Sequence, residues 1–194
     1  MKIAITGTTS GIGEATKALC IKQGHSVTDI NRTQWDLHDL DRLKDINLSH
    51  HDVLINNAGH NLGHNKFTDA EHDNWMNVMK ANQLAPMLLT KRFMEHNQAG
   101  TVIFMTTHHD SGSIHGGAYH TAKAGLKYFI NIMREETKQY RFVDVSIGRV
   151  KTNMRQNMKV DLTNTQSNYG EGNHIEATDV AKQVLHVIDN EHVH

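Results

Sequence analysis

The chain is poor in cysteine and proline: Cys20 and Pro86 are the only examples among 194 residues. A single cysteine excludes an internal disulfide and fits a reducing, cytoplasmic setting. The one proline falls inside a helical pattern, which it should kink or split. Charge of one sign is also lacking, with 20 basic residues against 21 acidic ones. No stretch concentrates lysine and arginine into a stripe that could track phosphates, which excludes nucleic acid as an expected partner. No apolar run approaches the length of a membrane span, and the first strand begins at Lys2 with no room before it for a signal sequence. A soluble, unprocessed protein without a membrane partner is expected. Repeats and low-complexity tracts are absent, and the length suits one domain over residues 1–194.

What is present is an alternation. Apolar runs at 2–5 (KIAI), 26–30 (SVTDI), 52–56 (DVLIN), 101–106 (TVIFMT) and 142–148 (FVDVSIG) read as strands. Helical patterns cover about 11–23, 38–45, 68–96, 117–139 and 176–190. Such alternation predicts an α/β fold, a doubly wound parallel sheet in three α/β/α layers. Between Asn31 and the DLHDLDRL segment there are too few residues for a parallel crossover, so a helix, a strand or both are missing there. The polar stretch 155–174 separates the last strand from the last helix. It would overhang the carboxyl ends of the strands as a lid, or serve as a plain connector.

Two short motifs carry chemistry. TGTTSGIG at 6–13 joins the first strand to the first helix, and Gly7, Gly11 and Gly13 suit a tight turn, close approach of a ligand and close helix packing. Free amides at that helix start favour an anion, so a phosphate is the expected guest. AYHTAKAG at 118–125 sets Tyr119 and Lys123 four apart, on one face of a helix. A phenol titrates near 10 and is a poor acid-base catalyst at neutrality, but a neighbouring ammonium favours the phenolate. The pair could then protonate a carbonyl oxygen or take a proton from an alcohol.

Together with NNAG at 56–59, these motifs stand in the order and spacing of the short-chain dehydrogenase/reductase family, which the chain resembles over about residues 1–154 and again at 176–188. The resemblance implies a Rossmann-like fold, here shortened at the second crossover and at the C-terminus. It implies that Gly7, Gly11, Ile12 and Gly13 cradle a dinucleotide pyrophosphate, with Thr8, Thr9 or Ser10 near the adenosine-side phosphate or ribose. Asn57, Ala58 and Gly59 would line the cofactor. Tyr119 would be the catalytic acid or base, Lys123 would lower its pKa and hold the nicotinamide ribose, and Asn82 would order a proton-relay water. Turn stabilisation is the competing role for Asn57, and relief of the helix near Pro86 for Asn82.

At the end of the second strand, Asn31 stands where NAD-selective relatives are acidic and Arg32 where NADP relatives carry arginine, which favours NADP(H) and leaves NAD(H) open. Asp29 points to NAD(H) if the strand register differs by two. Asp36 resembles the acidic residue that meets adenine, with Leu37 beneath the ring; capping a helix is the alternative job for Asp36 or His38. The family's substrate-orienting serine is replaced: Thr106 has the spacing counted from the tyrosine and Thr107 that counted from the strand, with Ser111 and Ser113 as later candidates. After the last strand, Ile147 replaces a usual proline, Val150 would line the nicotinamide and Thr152 would meet its carboxamide.

A carbonyl reductase, or in reverse a secondary alcohol dehydrogenase, follows from the resemblance, with a small-molecule substrate. Two alternatives are an NADP-binding sensor or interaction protein with weakened chemistry, and an epimerase or dehydratase of the same family. The family's final strand has no counterpart before His194, and the helices at about 68–96 and 117–139 imply a homodimer. His108, His109, His115 and His120 flank the catalytic segment without a metal-ligand spacing, so no metal is expected.

Overall fold

The computed structural model describes residues 1–61, 66–108, 116–148, 150 and 175–190. Among them the chain runs β1 (Lys2–Thr6), α1 (Gly11–Lys22), β2 (Ser26–Ile30), β3 (Val53–Asn56), α2 (His72–Met79), α3 (Ala85–His96), β4 (Gly100–Thr107), α4 (Gly117–Glu136), β5 (Tyr140–Ile147) and α5 (Ala177–Asp189). The five strands form one parallel sheet in the order β2-β1-β3-β4-β5. Both faces are covered, which is why the central strands read as unbroken apolar runs. Ile3, Ile5, Val53, Ile55 and Ile103 pack under α1 and α5, where Cys20, Val180 and Val184 meet them. Ala4, Leu54, Val102 and Phe104 face the other way, onto Leu89 and Phe93 of α3 and Leu126 and Ile130 of α4.

Three expectations need correction. The helix anticipated at 38–45 is only a 3₁₀ turn at Arg42–Asp45. Asp36 accepts the backbone N–H of His38 and Asp39 that of Arg42, so side chains compete with the helix for its first donors. Residues 31–52 therefore contain neither an α-helix nor a strand, and Leu37, Leu43, Ile46 and Leu48 are buried against the face that a crossover helix would otherwise cover. The pattern at 68–96 is split, in keeping with the expectation from Pro86, into a 3₁₀ turn (Phe67–Asp69), α2, a π-helical turn (Lys80–Leu84) and α3. Pro86 sits in the first turn of α3, where it lacks no needed donor, and the widened turn before it absorbs the mismatch. β5 starts two residues earlier than expected, and α4 stops at Glu136, short of 139.

The sheet order places a switch between β1 and β3. From β1 the chain leaves toward β2 on one side, whereas from β3 it leaves toward β4 on the other. The crevice so opened at the carboxyl ends is where α/β sheets bind ligands.

Candidate active site

A cavity of about 360 Å³ occupies that crevice. Its floor is the turn after β1. Gly7 has φ +71°, and a Cβ there would stand 2.9 Å from the Cβ of Ala58. At Gly13 a Cβ would stand 2.1 Å from the Gly7 carbonyl oxygen and 2.5 Å from Nδ2 of Asn57. Asn57 fastens the turn, donating from Nδ2 to the carbonyls of Thr6 (2.9 Å) and Gly7 (3.1 Å). The hydroxyl of Thr6 accepts the backbone N–H groups of Asn57 and Ala58, both at 2.9 Å. The start of α1 carries no side-chain cap, so its first amides, from Ser10 to Gly13, have no partner within the helix, and Ser10, Gly11 and Ile12 line the cavity. This uncapped helix start fits a dinucleotide pyrophosphate.

Opposite the turn stand Tyr119 and Lys123, from the first two turns of α4. Lys123 is 4% exposed, and its Nζ donates to the Met105 carbonyl at 2.8 Å and lies 5.7 Å from the centre of the Tyr119 ring. Burial pulls the Lys123 amine down to about 8, against the countercharge of Asp144. Burial pushes the Tyr119 phenol up to about 12. In this state desolvation outweighs the ammonium, which sits over the ring. Asn82, in the π-helical turn, donates to the carbonyls of His60 (2.7 Å) and Val78 (2.9 Å). Its buried Oδ1 has no partner among the described residues and faces Gly59, where a Cβ would be 2.4 Å from it and 3.7 Å from Nζ of Lys123.

Other expected site residues are placed differently. The hydroxyl of Thr8 donates to Asp29 (2.8 Å) and Asn31 (3.1 Å), and its N–H to Asn31 (3.0 Å), so Thr8 and the Asn31 oxygen build the turn and do not line the cavity. Burial opposes ionisation of Asp29, but hydrogen bonds from Lys17 and Thr8 hold its carboxyl below the usual range. Arg32 lines the cavity with its side chain 79% exposed, 3.8 Å from Asp36. Leu37 is in the core and Asp36 does not line the cavity. Thr106 does not line the cavity, and its hydroxyl donates to the Asp144 carboxylate, beneath α4. Thr107 projects from the opposite face of β4, the face of cavity-lining Met105, and is itself not among the residues that line the cavity. Val150 bridges to Ile175 instead of lining the cavity. Thr152, Ser111, Ser113, His109, His115 and the 155–174 segment lie outside the described residues.

Sequence reasoning missed the histidines on the cavity wall. Asp36 accepts from His38 Nδ1 (2.7 Å), and His38 Nε2 meets His60 Nε2 at 2.8 Å. Burial, then the neighbouring His38, lowers His60 to about 4. Only the position of His60 directly after NNAG could have signalled it. Among the described residues no group of three or more His, Cys, Asp or Glu could hold a metal, and no helix is long and apolar enough to cross a membrane.

The family model for short chain dehydrogenase matches residues 45–163. A benzil reductase ((S)-benzoin forming) of Bacillus cereus is 28% identical over an alignment of 235 positions, spanning 97% of this chain and 94% of the relative. The fold is similar to that of a small-chain dehydrogenase solved with NADPH (TM-score 0.83, 20% identity, 100% of this chain and 93% of the other). It is also similar to the closed form of a serine dehydrogenase solved with NADP+ (TM-score 0.82, 20% identity, 97% and 89%). The chain belongs to the short-chain dehydrogenase family and is an oxidoreductase of the class that interconverts CH–OH and C=O.

Proposed function

We propose that the protein reduces a small carbonyl compound with NADPH, or oxidises the corresponding secondary alcohol, using Tyr119 and Lys123 as its acid-base pair. One observation carries this reading: the uncapped start of α1 and the Tyr119–Lys123 pair, its lysine buried, open into one cavity at the sheet's switch point. When bound, the nicotinamide supplies the hydride. The amides from Ser10 to Gly13 would hold the pyrophosphate. Arg32 would meet a 2′-phosphate, and the commitment of Asp29 to Lys17 and Thr8 leaves no free carboxylate at the end of β2 for an adenine ribose diol.

Tyr119 Oη gives its proton to the carbonyl oxygen, and the Lys123 ammonium stabilises the phenolate left behind. A cationic Lys123 also binds ribose hydroxyls. The unpartnered Oδ1 of Asn82, beside Lys123, suits a relay water that returns the proton. Thr107, on the Met105 face, is the better placed replacement for the orienting serine. The name of the Bacillus cereus relative makes aromatic 1,2-diketones the first substrates to try. The exposed Tyr128 and Ile132 on α4 and Leu88 on α3 support a homodimer through these helices.

The test is NADPH consumption across a panel of diketones, ketones, aldehydes and quinones, with NADH and Tyr119→Phe alongside. Tyr119→Phe should lower kcat by about 10²–10⁴-fold with NADPH affinity retained. Equal turnover by the variant removes Tyr119 from the chemistry. Tight NADPH binding without turnover of any carbonyl favours the sensor reading, which the diversion of Thr106 to Asp144 supports.

A further inference from the structure

Lys123 presents a physical problem that its known contacts do not solve. An ammonium 4% exposed has lost nearly all its water, and its one hydrogen bond within the described residues goes to a neutral carbonyl, that of Met105. A buried amine so placed tends to shed its proton, and a neutral amine could neither stabilise a phenolate nor act as a cation toward ribose.

A carboxylate stands on β5, on the side of the sheet that α4 covers. In the parallel register Asp144 lies beside Phe104, and Ser146 beside Thr106, so Asp144 and Thr106 share the sheet face covered by α4. The hydroxyl of Thr106 donates to the Asp144 carboxylate, one residue along β4 from the carbonyl that binds Lys123. We propose that Asp144, anchored by Thr106, is a positioning residue that supplies the countercharge keeping Lys123 an ammonium. The two residues thereby acquire a role distinct from substrate orientation.

Among the described residues the titratable groups around Lys123 are few. Tyr119 lies on its own helix, with the His120 ring edge-on to it at 5.4 Å between centres, and Asp144 lies on β5. His60, on the loop after β3, lines the same cavity, and Asn82 from the π-helical turn does not titrate. Asp144 alone among them is a carboxylic acid. Of the two forces on the lysine, burial is the larger and leaves it at about 8, and Asp144 opposes further loss. Removing the carboxylate should therefore lower the titration of Lys123 toward neutrality. A competing role exists for a carboxylate facing inward on the outermost strand: it can simply discourage edge-to-edge pairing. That role would leave Lys123 untouched.

This inference rests on Lys123 being the partner of Tyr119, yet its test reads the charge of the lysine whether or not a carbonyl is reduced. Protein labelled with ¹³C at lysine Cε would be titrated by NMR, with the Lys123 resonance assigned through Lys123→Arg. Asp144→Asn, which keeps the shape and an acceptor for Thr106, should lower the Lys123 midpoint by about one pH unit or more. The alkaline limb of kcat should move down with it. Thr106→Val should shift the midpoint in the same direction but less far, and Thr106→Ser should leave it in place. Coincident titrations for wild type and Asp144→Asn, both folded by thermal melting, would overturn the proposal. If Asp144→Asn does not fold, Thr106→Val decides alone: a lowered midpoint supports the anchor and an unmoved one refutes it.

Discussion

Thr106 and Thr107 are adjacent and chemically identical, yet the pleat of β4 sends one hydroxyl under α4 to Asp144 and the other to the face of Met105. Spacing counted from Tyr119 chose the first and spacing counted from the strand chose the second. Only the direction of the side chains separates them. At the same scale, His60 was invisible to motif reasoning because its significance comes from His38, 22 positions earlier. Its folded value, about 4, lies below the ordinary 6.5, so the unfolded chain takes up the proton first. Stability from this group is therefore intact above about pH 6.5 and is lost as pH falls toward 4. At about 1.4 kcal/mol per pH decade, the full loss is roughly 3 kcal/mol. Melting curves at pH 7 and pH 5 should show His60→Asn losing less stability than wild type. Equal losses would show that this imidazole is not the group concerned.

Elements were legible where period and turn chemistry agree. α1, with Gly7 before it, Gly11 and Gly13 in its first turn and an apolar face ending in buried Cys20, appears within two residues of where the pattern put it, as do all five strands. The pattern misled at 38–45, because Asp36 and Asp39 offer their own acceptors to the backbone, and at 80–84, where apolar spacing does not distinguish an α-turn from a π-turn. That wider turn has a consequence for the site, since it carries Asn82 and turns its amide toward His60 and Gly59. The contact between the β1–α1 turn and the loop after β3 is equally exacting. Gly13→Ala would drive a methyl into the Gly7 carbonyl and Asn57. Overpacking of this kind costs about 1–3 kcal/mol, so the variant should melt earlier and bind NADPH more weakly. Calorimetry and a fluorescence titration of NADPH would check both, and an unchanged NADPH affinity would show that the turn does not shape the phosphate site.

At the scale of the whole molecule, omission of a helix and a strand between β2 and β3 leaves a five-stranded sheet among the described residues without disturbing its switch point. The crevice depends on β1, β3 and the turns after them, and β1 stays paired directly with β3. Buried leucines at 37, 43 and 48 seal the face that the missing helix would cover. On the opposite side of that layer, α4 exposes Tyr128 at 71% and Ile132 at 41%, four residues apart and so on one face. Apolar side chains held in this arrangement should be covered by a second copy. Sedimentation should report a dimer for wild type and a monomer for the double variant Tyr128→Glu, Ile132→Glu. A wild-type monomer would refute the interface.

Fold class, strand positions, the glycine turn after β1 and the Tyr119–Lys123 pair could all be read from the linear chain, because each depends on neighbours within a few residues: a period of two or 3.6, a glycine in a turn, two side chains one helical turn apart. The sheet order, the burial that moves Tyr119 and Lys123 in opposite directions, the His38–His60 contact and the capture of Thr106 by Asp144 could not. Asp144 lies 38 residues from Thr106 in the chain and meets it only because β4 and β5 pair in one register. Electrostatics inside a protein depend on which groups share a space without water, and packing alone settles that.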